Sequence, residues 1–187
     1  EWLLLNKNYT HEEIIDDIVK NIENNNIVFP MRKITKDDAL NDFIALYTMF
    51  PLKLQKGKTC TKCDYKYDMS DEYFGQNNTG NMSSDYFQQY NRMCCSSTTA
   101  ISPVDVWNDS KQMRGVLKGL WTFKGTEKDG VSSSKLLSKI SLRRYIAAQF
   151  KPCIAKSIYT LLNSKRVIDF SMGWGDRLAG FYATKDT

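Results

Sequence analysis

Apolar residues recur three and four positions apart in most hydrophobic segments, and this spacing restricts the fold more than any other feature. In THEEIIDDIVKNIENN (residues 10–25) the isoleucines and the valine share one helical face, and Thr10 and Glu13 have capping-box spacing. Ser102, Pro103 and Asp105 form a second helix-start signal, with a cap, a first-turn proline and a favourable negative charge. Similar patterns predict helices over residues 35–50, 84–93, 102–121, 133–150 and 152–165.

One segment near the carboxyl terminus departs from helical spacing. The sequence RVIDF (residues 166–170) is typical of a buried strand, and a turn containing Gly173 and Gly175 and then a helix from about Asp176 follow it. Such a strand–turn–helix forms the crevice in which α/β folds bind ligands, because glycine lets a ligand approach the backbone. A dinucleotide fingerprint would have a third glycine at Leu178, so pyrophosphate binding is not favoured.

Composition is that of a globular protein of 187 residues, with 42% hydrophobic and 25% charged residues. No apolar run approaches the roughly 20 residues that a bilayer requires, so we expect no membrane segment. The amino-terminal residues EWLLLNKN lack the features of a secretory signal. We therefore expect an intracellular, reducing compartment, the cytoplasm or nucleus, with the five cysteines as thiols or ligands. The richness in Asn, Lys and Ile suggests an AT-rich source and makes a virus-encoded protein one candidate.

Charge is unevenly distributed. Residues 1–50 contain nine acids and five bases, whereas residues 111–166 contain thirteen bases and two acids. Such a basic region suits a polyanion such as nucleic acid, and it equally suits a solvated helix face. The candidate nucleic-acid contacts are Lys118, Lys139, Arg143 and Arg144.

Two cysteines have the spacing of half a metal site. Cys60 and Cys63 form a C-x-x-C pair in a polar, turn-rich segment, residues 52–83, that has no clear periodicity. Cys94 and Cys95 follow about thirty residues later, but adjacent cysteines seldom both bind one metal. Zinc is therefore a possible cofactor that the sequence does not favour.

The order FKP, apolar helix and IDFSMGWGDR resembles paired motifs of AdoMet-dependent methyltransferases that modify amino groups of nucleic-acid bases. Phe150, Lys151 and Pro152 match the first motif, and the stretch from Val167 to Arg177 matches the second, so the resemblance covers residues 150–184. It departs from the family where Phe170 replaces a proline and Trp174 replaces a small residue.

The resemblance implies an α/β fold in which a mainly helical region, residues 1–131, leads into the first strand, turn and helix of a Rossmann-like AdoMet domain, residues 132–187. That domain would be truncated here. The cofactor-binding residues that the resemblance implies are Asp169, Phe170, Gly173, Trp174, Gly175, Lys151 and Pro152.

The resemblance also predicts the activity, which is methylation of a base amino group. Adenine is favoured over cytosine, and DNA over RNA. The family's catalytic Asp-Pro-Pro-aromatic motif is absent from the 187 residues, so no catalytic residue is assigned. Two alternatives stay open: an RNA methyltransferase, and a non-enzymatic helical nucleic-acid-binding module with a Cys-bound zinc.

Overall fold

The computed structural model describes residues 2–56, 72–75, 77–122, 130–143 and 147–184, and these ranges are mainly helical. They contain nine α-helices, a 3-10 turn at Leu120–Thr122 and two short strands. The helices are α1 (Trp2–Asn8), α2 (His11–Asn24), α3 (Lys36–Thr48), α4 (Asn81–Met93), α5 (Pro103–Asn108), α6 (Ser110–Lys118), α7 (Ser133–Arg143), α8 (Pro152–Leu161) and α9 (Asp176–Tyr182).

The two strands form an antiparallel pair. β1 (Leu54–Lys56) lies beside β2 (Glu72–Phe74), with Leu54 opposite Phe74. The sequence gives this segment no clear periodicity, because three residues are too few to display a period of two.

The helix-start signals are confirmed. The Thr10 hydroxyl accepts from the backbone N–H of Glu13, and the Glu13 carboxylate accepts from the Thr10 N–H at 2.8 Å. Thr35 and Asp38 repeat this reciprocal arrangement at α3. Ser102 caps α5 by accepting from the N–H of Asp105 at 3.1 Å. Each cap satisfies backbone donors that the first helical turn leaves without a partner.

The predicted helix over residues 102–121 is divided in two. Asp109 has an extended conformation, with φ −111° and ψ 107°, which ends α5. Its carboxylate then accepts from the Gln112 N–H at 3.0 Å and caps α6. A short acidic side chain competes with the helical backbone for hydrogen bonds, so the same residue ends one helix and starts the next.

The α/β fold class predicted from the sequence is wrong for the described residues. No parallel sheet occurs in them, and residues 166–170 form no strand. The segment is also not buried, since Ile168 is 81% and Phe170 97% exposed. A strand depends on a neighbouring strand for its hydrogen bonds, and nothing in the described ranges pairs with this segment. Without that partner no Rossmann-like sheet forms there.

The chain divides into two compact units, and each unit combines two separate segments. Unit 1 comprises residues 1–33 and 90–148, and unit 2 comprises residues 34–89 and 149–187. This division differs from the boundary at residue 131 predicted from the sequence. The difference arises because segments far apart in sequence pack together, which local composition does not reveal.

Unit 1 is built around the contact between α2 and α6. Ile15 and Val19 of α2 pack against Met113, Val116 and Leu117 of α6, and all five are buried. Their spacing of three and four positions places each set on one helical face. The apolar stripe predicted for α2 is thus the core-facing surface of this unit.

Unit 2 has a smaller apolar core. Leu46, Cys153 and Ala183 are fully buried, and Phe43 and Ile154 are among the partly buried side chains around them. The predicted apolar stripe of α8 is only partly in this core, because Leu161 is 64% exposed. Polar and small side chains therefore contribute much of the contact between the helices of this unit.

Lys156 is the main buried polar group of unit 2. It is 3% exposed, and its ammonium donates to the carbonyl oxygens of Leu46, Tyr47 and Met49 at 2.7, 2.9 and 2.7 Å. These carbonyls belong to the end of α3, where helical carbonyls lack intrahelical partners and the helix dipole favours a positive charge. Lys156 therefore caps α3 from α8.

No helix in the described ranges combines the length and the apolar character that crossing a membrane requires. The longest described helix, α2, has 14 residues.

We predict that Lys156→Met destabilises unit 2 by about 3 kcal/mol, because the carbonyls at the end of α3 lose a charged donor in a buried position. Chemical denaturation followed by circular dichroism would measure the change. Lys165→Met is the matched control, since Lys165 is exposed and its replacement should change stability by less than about 0.5 kcal/mol. Equal effects of the two substitutions would contradict the capping role.

Candidate functional site

The glycine turn before α9 is the feature of the sequence motif that the structure retains. Gly173 has φ 64° and Gly175 has φ 89°, both in the left-handed region, and Gly175 is the residue that precedes α9. A Cβ at Gly175 would meet no atom within 4 Å, so conformation rather than crowding requires glycine there. The predicted turn and the predicted helix start near Asp176 are confirmed.

Asp169 and Arg177 form an ion pair across this turn. Arg177 Nε donates to Asp169 Oδ2 at 2.6 Å, and its Nη2 donates to Oδ1 at 3.1 Å. The N–H of Ser171 adds a hydrogen bond to Oδ1 at 3.0 Å, and Arg177 also donates to the carbonyl of Ser171. The Asp169 side chain therefore folds the turn back onto α9.

The ion pair shifts the acid–base equilibrium of both partners. The hydrogen bond from Arg177 lowers the pKa of Asp169 below its ordinary value of 3.8, and the same bond raises the pKa of Arg177. Both groups are thus charged at neutral pH, which favours a structural role for Asp169 over proton transfer.

The two sequence motifs contact each other in three dimensions. The guanidinium of Arg177 lies 5.6 Å from the centre of the Phe150 ring, in a cation–π arrangement. Phe150 belongs to the FKP motif, and Arg177 belongs to the glycine motif. Pro152 occupies the first turn of α8, as its position in the sequence predicts.

Gly180 allows α8 and α9 to approach closely. A Cβ at this position would lie 2.5 Å from Ala155 Cβ and 2.7 Å from the carbonyl oxygen of Pro152. Tyr159 and Phe181 add an edge-to-face ring contact between the same two helices, with centroids 5.7 Å apart. The contact between α8 and α9 places the FKP motif beside the glycine turn.

Asp176 is the buried acid of the site. It is 2% exposed, and its Oδ1 accepts from the Ser84 hydroxyl and from Gln149 Nε2, the latter at 2.8 Å. Gln149 Nε2 also lies 2.9 Å from Ser84 Oγ and 3.2 Å from the Asn81 carbonyl oxygen. The first residue of α9 is thereby hydrogen-bonded to α4 and to the segment before α8.

An open pocket of ≈ 820 Å³ lies beside the glycine turn. Residues 172–175 form one side, and side chains of α3, α4 and α9 form the others. The pocket is mainly apolar and aromatic, and none of the described residues that line it is acidic. Its aromatic side chains are Phe43, Tyr86, Phe87, Trp174 and Tyr182.

The structure separates the predicted cofactor residues into two groups. Gly173, Trp174 and Gly175 line the pocket. Asp169 is paired with Arg177, and Phe170 is 97% exposed. Lys151 and Pro152 do not line the pocket either: Lys151 precedes α8 without a side-chain cap, and Pro152 is buried at its start.

Sequence reasoning missed the residues that contact the turn from elsewhere in the chain. Ser84 and Gln149 lie 92 and 27 positions from Asp176, so local spacing carried no signal for them. Tyr86 and Phe87 were assigned to a predicted helix, but nothing in the pattern indicated that they face a glycine turn.

The candidate nucleic-acid contacts differ in their surroundings. Lys118 forms an ion pair with Glu12 at 2.8 Å, and Arg114 of the same helix pairs with Asp16. Lys139 is 6% exposed, and its aliphatic chain packs over Gly119. Arg144 lies outside the described residues, as does the side chain of Arg143. Acids of α2 thus reduce the positive charge that α6 presents.

Cys60 and Cys63 lie outside the described residues. Within the described ranges no cluster of three His, Cys, Asp or Glu side chains has the geometry of a metal site.

Comparisons with protein-family models, with curated proteins and with solved structures gave no significant match.

We predict that Gly180→Ala destabilises unit 2 by about 1–3 kcal/mol, because the new methyl group overlaps Ala155 and the Pro152 carbonyl. Gly115→Ala is the control, since a Cβ there meets nothing within 4 Å and alanine favours a helix by about 0.5–1 kcal/mol. Denaturant unfolding of both variants measures the difference. A stable Gly180→Ala variant would show that α8 and α9 need no close approach.

We predict that Asp169 stabilises the fold at neutral pH and loses this effect in acid. Its pKa is lower in the folded state, so the contribution is complete above the ordinary value of 3.8 and disappears as the pH falls through the folded value. Carboxyl NMR titration measures the folded pKa directly. In an Arg177→Gln variant the pKa should return toward the ordinary value, and an ordinary pKa in the unmodified chain would contradict the role of the ion pair.

Proposed function

We propose that the chain binds AdoMet in the pocket beside the Gly173–Gly175 turn and methylates the amino group of a nucleic-acid base. DNA is favoured over RNA as the substrate, and adenine over cytosine. One observation carries the proposal. Residues 172–175, which belong to the methyltransferase-like motif, form a wall of the ≈ 820 Å³ pocket, and aromatic side chains from other helices share that pocket.

The pocket residues fit much of this cofactor. The volume of the pocket, ≈ 820 Å³, lies within the range of about 300–1,000 Å³ that is usual for small-molecule sites. Trp174, Tyr86 and Phe87 offer flat apolar surfaces on which an adenine ring can stack. Lys36 supplies a positive charge for the carboxylate. When bound, AdoMet supplies an electrophilic methyl group.

The chain's own residues act in this scheme by binding and orientation. The glycines leave the backbone of the turn free of Cβ atoms, and the aromatic side chains exclude water from the ligand. Asp169 stays ionised in its pair with Arg177, so we assign it to shaping the turn. We assign no described residue to proton transfer or to holding the target base.

Contact with nucleic acid is supported by charge. Lys111 of unit 1 and Lys165 and Arg166 of unit 2 are exposed, so they can contact phosphates. Lys118 and Arg114 already pair with acids of α2, and they contribute less to this attraction.

The described cysteines Cys94, Cys95 and Cys153 are free thiols, as suits a reducing intracellular compartment.

We predict that the 187-residue chain releases heat on titration with AdoMet and that two substitutions weaken binding. Trp174→Ala removes a stacking surface, and Gly175→Ala strains a position at φ 89° by about 1–2 kcal/mol, which corresponds to about tenfold in Kd. Gly115→Ala also adds a methyl group in open space but lies in α6, so its affinity should equal that of the unmodified chain.

Absence of heat from AdoMet, with the chain shown to be folded by circular dichroism, would contradict the proposal. In that case salt-dependent binding to DNA would identify the non-enzymatic nucleic-acid-binding alternative. Where AdoMet does bind, transfer of a labelled methyl group to DNA and to RNA distinguishes the two methyltransferase alternatives, and the position of the label identifies the base.

A further inference from the structure

We infer that Asp176 is a positioning residue that, through Ser84 and Gln149, holds the Gly173–Gly175 turn in the conformation that forms the pocket wall. The inference rests on the proposed function for the identity of the ligand. The conformation of the turn can be tested without any ligand.

Asp176 is almost completely buried. An acid with 2% exposure loses most of its contact with water, so its carboxylate depends on protein donors. Oδ1 has two such donors, the Ser84 hydroxyl and the Gln149 amide. Charge-assisted hydrogen bonds of this kind are about twice as strong as neutral ones, and their geometry is correspondingly fixed.

Asp176 is adjacent in the chain to the glycine turn. It directly follows Gly175, whose φ of 89° only glycine adopts easily. Glycine-rich turns have many accessible conformations, because no Cβ restricts them. Fixing the side chain of the next residue removes much of this freedom from the turn.

The partners of Asp176 lie on two other segments of unit 2. Ser84 lies on α4 and itself lines the pocket, next to Ser83 in the sequence. Gln149 directly precedes Phe150, whose ring contacts Arg177. Asp176 therefore joins three segments: the wall formed by the turn, the wall formed by α4, and the residues before α8.

Two adjacent serines, Ser83 and Ser84, differ in the acceptor to which each hydroxyl donates. Ser83 Oγ donates to the carbonyl of Gly80 at 2.5 Å, within α4's own first turn, whereas Ser84 Oγ donates to Asp176. Both serines line the pocket. Replacing either one removes a hydroxyl from the pocket, but only Ser84→Ala removes a donor from Asp176.

The experiment uses the 187-residue chain labelled with 5-fluorotryptophan, which gives one fluorine resonance for each of the four tryptophans. Trp174→Phe assigns the resonance of the turn. In the ligand-free chain we expect Asp176→Asn and Ser84→Ala to shift or broaden that resonance, and Ser83→Ala to leave it unchanged. For AdoMet we expect Kd to rise about tenfold in the first two variants and to stay constant in Ser83→Ala.

An exchange of the two interacting groups provides the rescue. Asp176→Asn combined with Gln149→Glu keeps both side-chain lengths and restores an amide–carboxylate hydrogen bond with the roles reversed. We expect this double variant to return the Trp174 resonance and the Kd toward those of the unmodified chain, whereas Gln149→Glu alone places two carboxylates together. Comparing the double variant with the two single variants then measures the coupling between residues 149 and 176.

The outcomes separate the inference from the proposed function. If Asp176→Asn and Ser84→Ala lower only the melting temperature, with the Trp174 resonance and the Kd unchanged, Asp176 has a purely structural role and the inference is wrong. If the unmodified chain does not bind AdoMet, the proposed function is wrong, and the resonance of the ligand-free chain still decides the inference. If Asp176→Asn does not fold, Ser84→Ala and its control Ser83→Ala decide it.

Discussion

The close contact between α8 and α9 at Gly180 is the constraint on which the arrangement of unit 2 depends. Gly180 has no side chain, so Ala155 and the Pro152 carbonyl can lie against the backbone of α9. A larger residue would separate the helices and with them Phe150 from Arg177 and Gln149 from Asp176. The glycine turn is held on both sides by these two contacts.

Buried polar groups contribute much to the packing of unit 2, because its apolar core is small. Three fully buried apolar side chains, Leu46, Cys153 and Ala183, form the centre of that core. Lys156 and Asp176 are also buried, and each has hydrogen-bond partners in helices or segments distant in sequence. A buried charge that loses its partner is costly, so each of these groups favours the packing that keeps its partners in place.

Local signals in the sequence located the capped helices α2, α3 and α5, but they did not predict α1 or the division between α5 and α6. The caps at Thr10, Thr35 and Ser102 act within three residues, so the sequence located these helix starts. Residues 166–170 do not form the predicted strand, because a strand needs a partner that the described ranges do not provide. Gly173, Trp174 and Gly175 were correctly expected to lie together in a turn, but the pocket wall opposite them comes from α3 and α4.

The sequence by itself determined the starts of α2, α3 and α5 and the glycine turn before α9, since each depends on neighbouring residues. Tertiary structure alone decided that Asp169 binds Arg177, that Lys156 caps α3 and that Ser84 and Gln149 hold Asp176. These partners are separated by 8 to 110 positions. Their contacts form only when burial makes a polar group exchange water for a protein donor or acceptor, and that exchange depends on the packing of the whole unit.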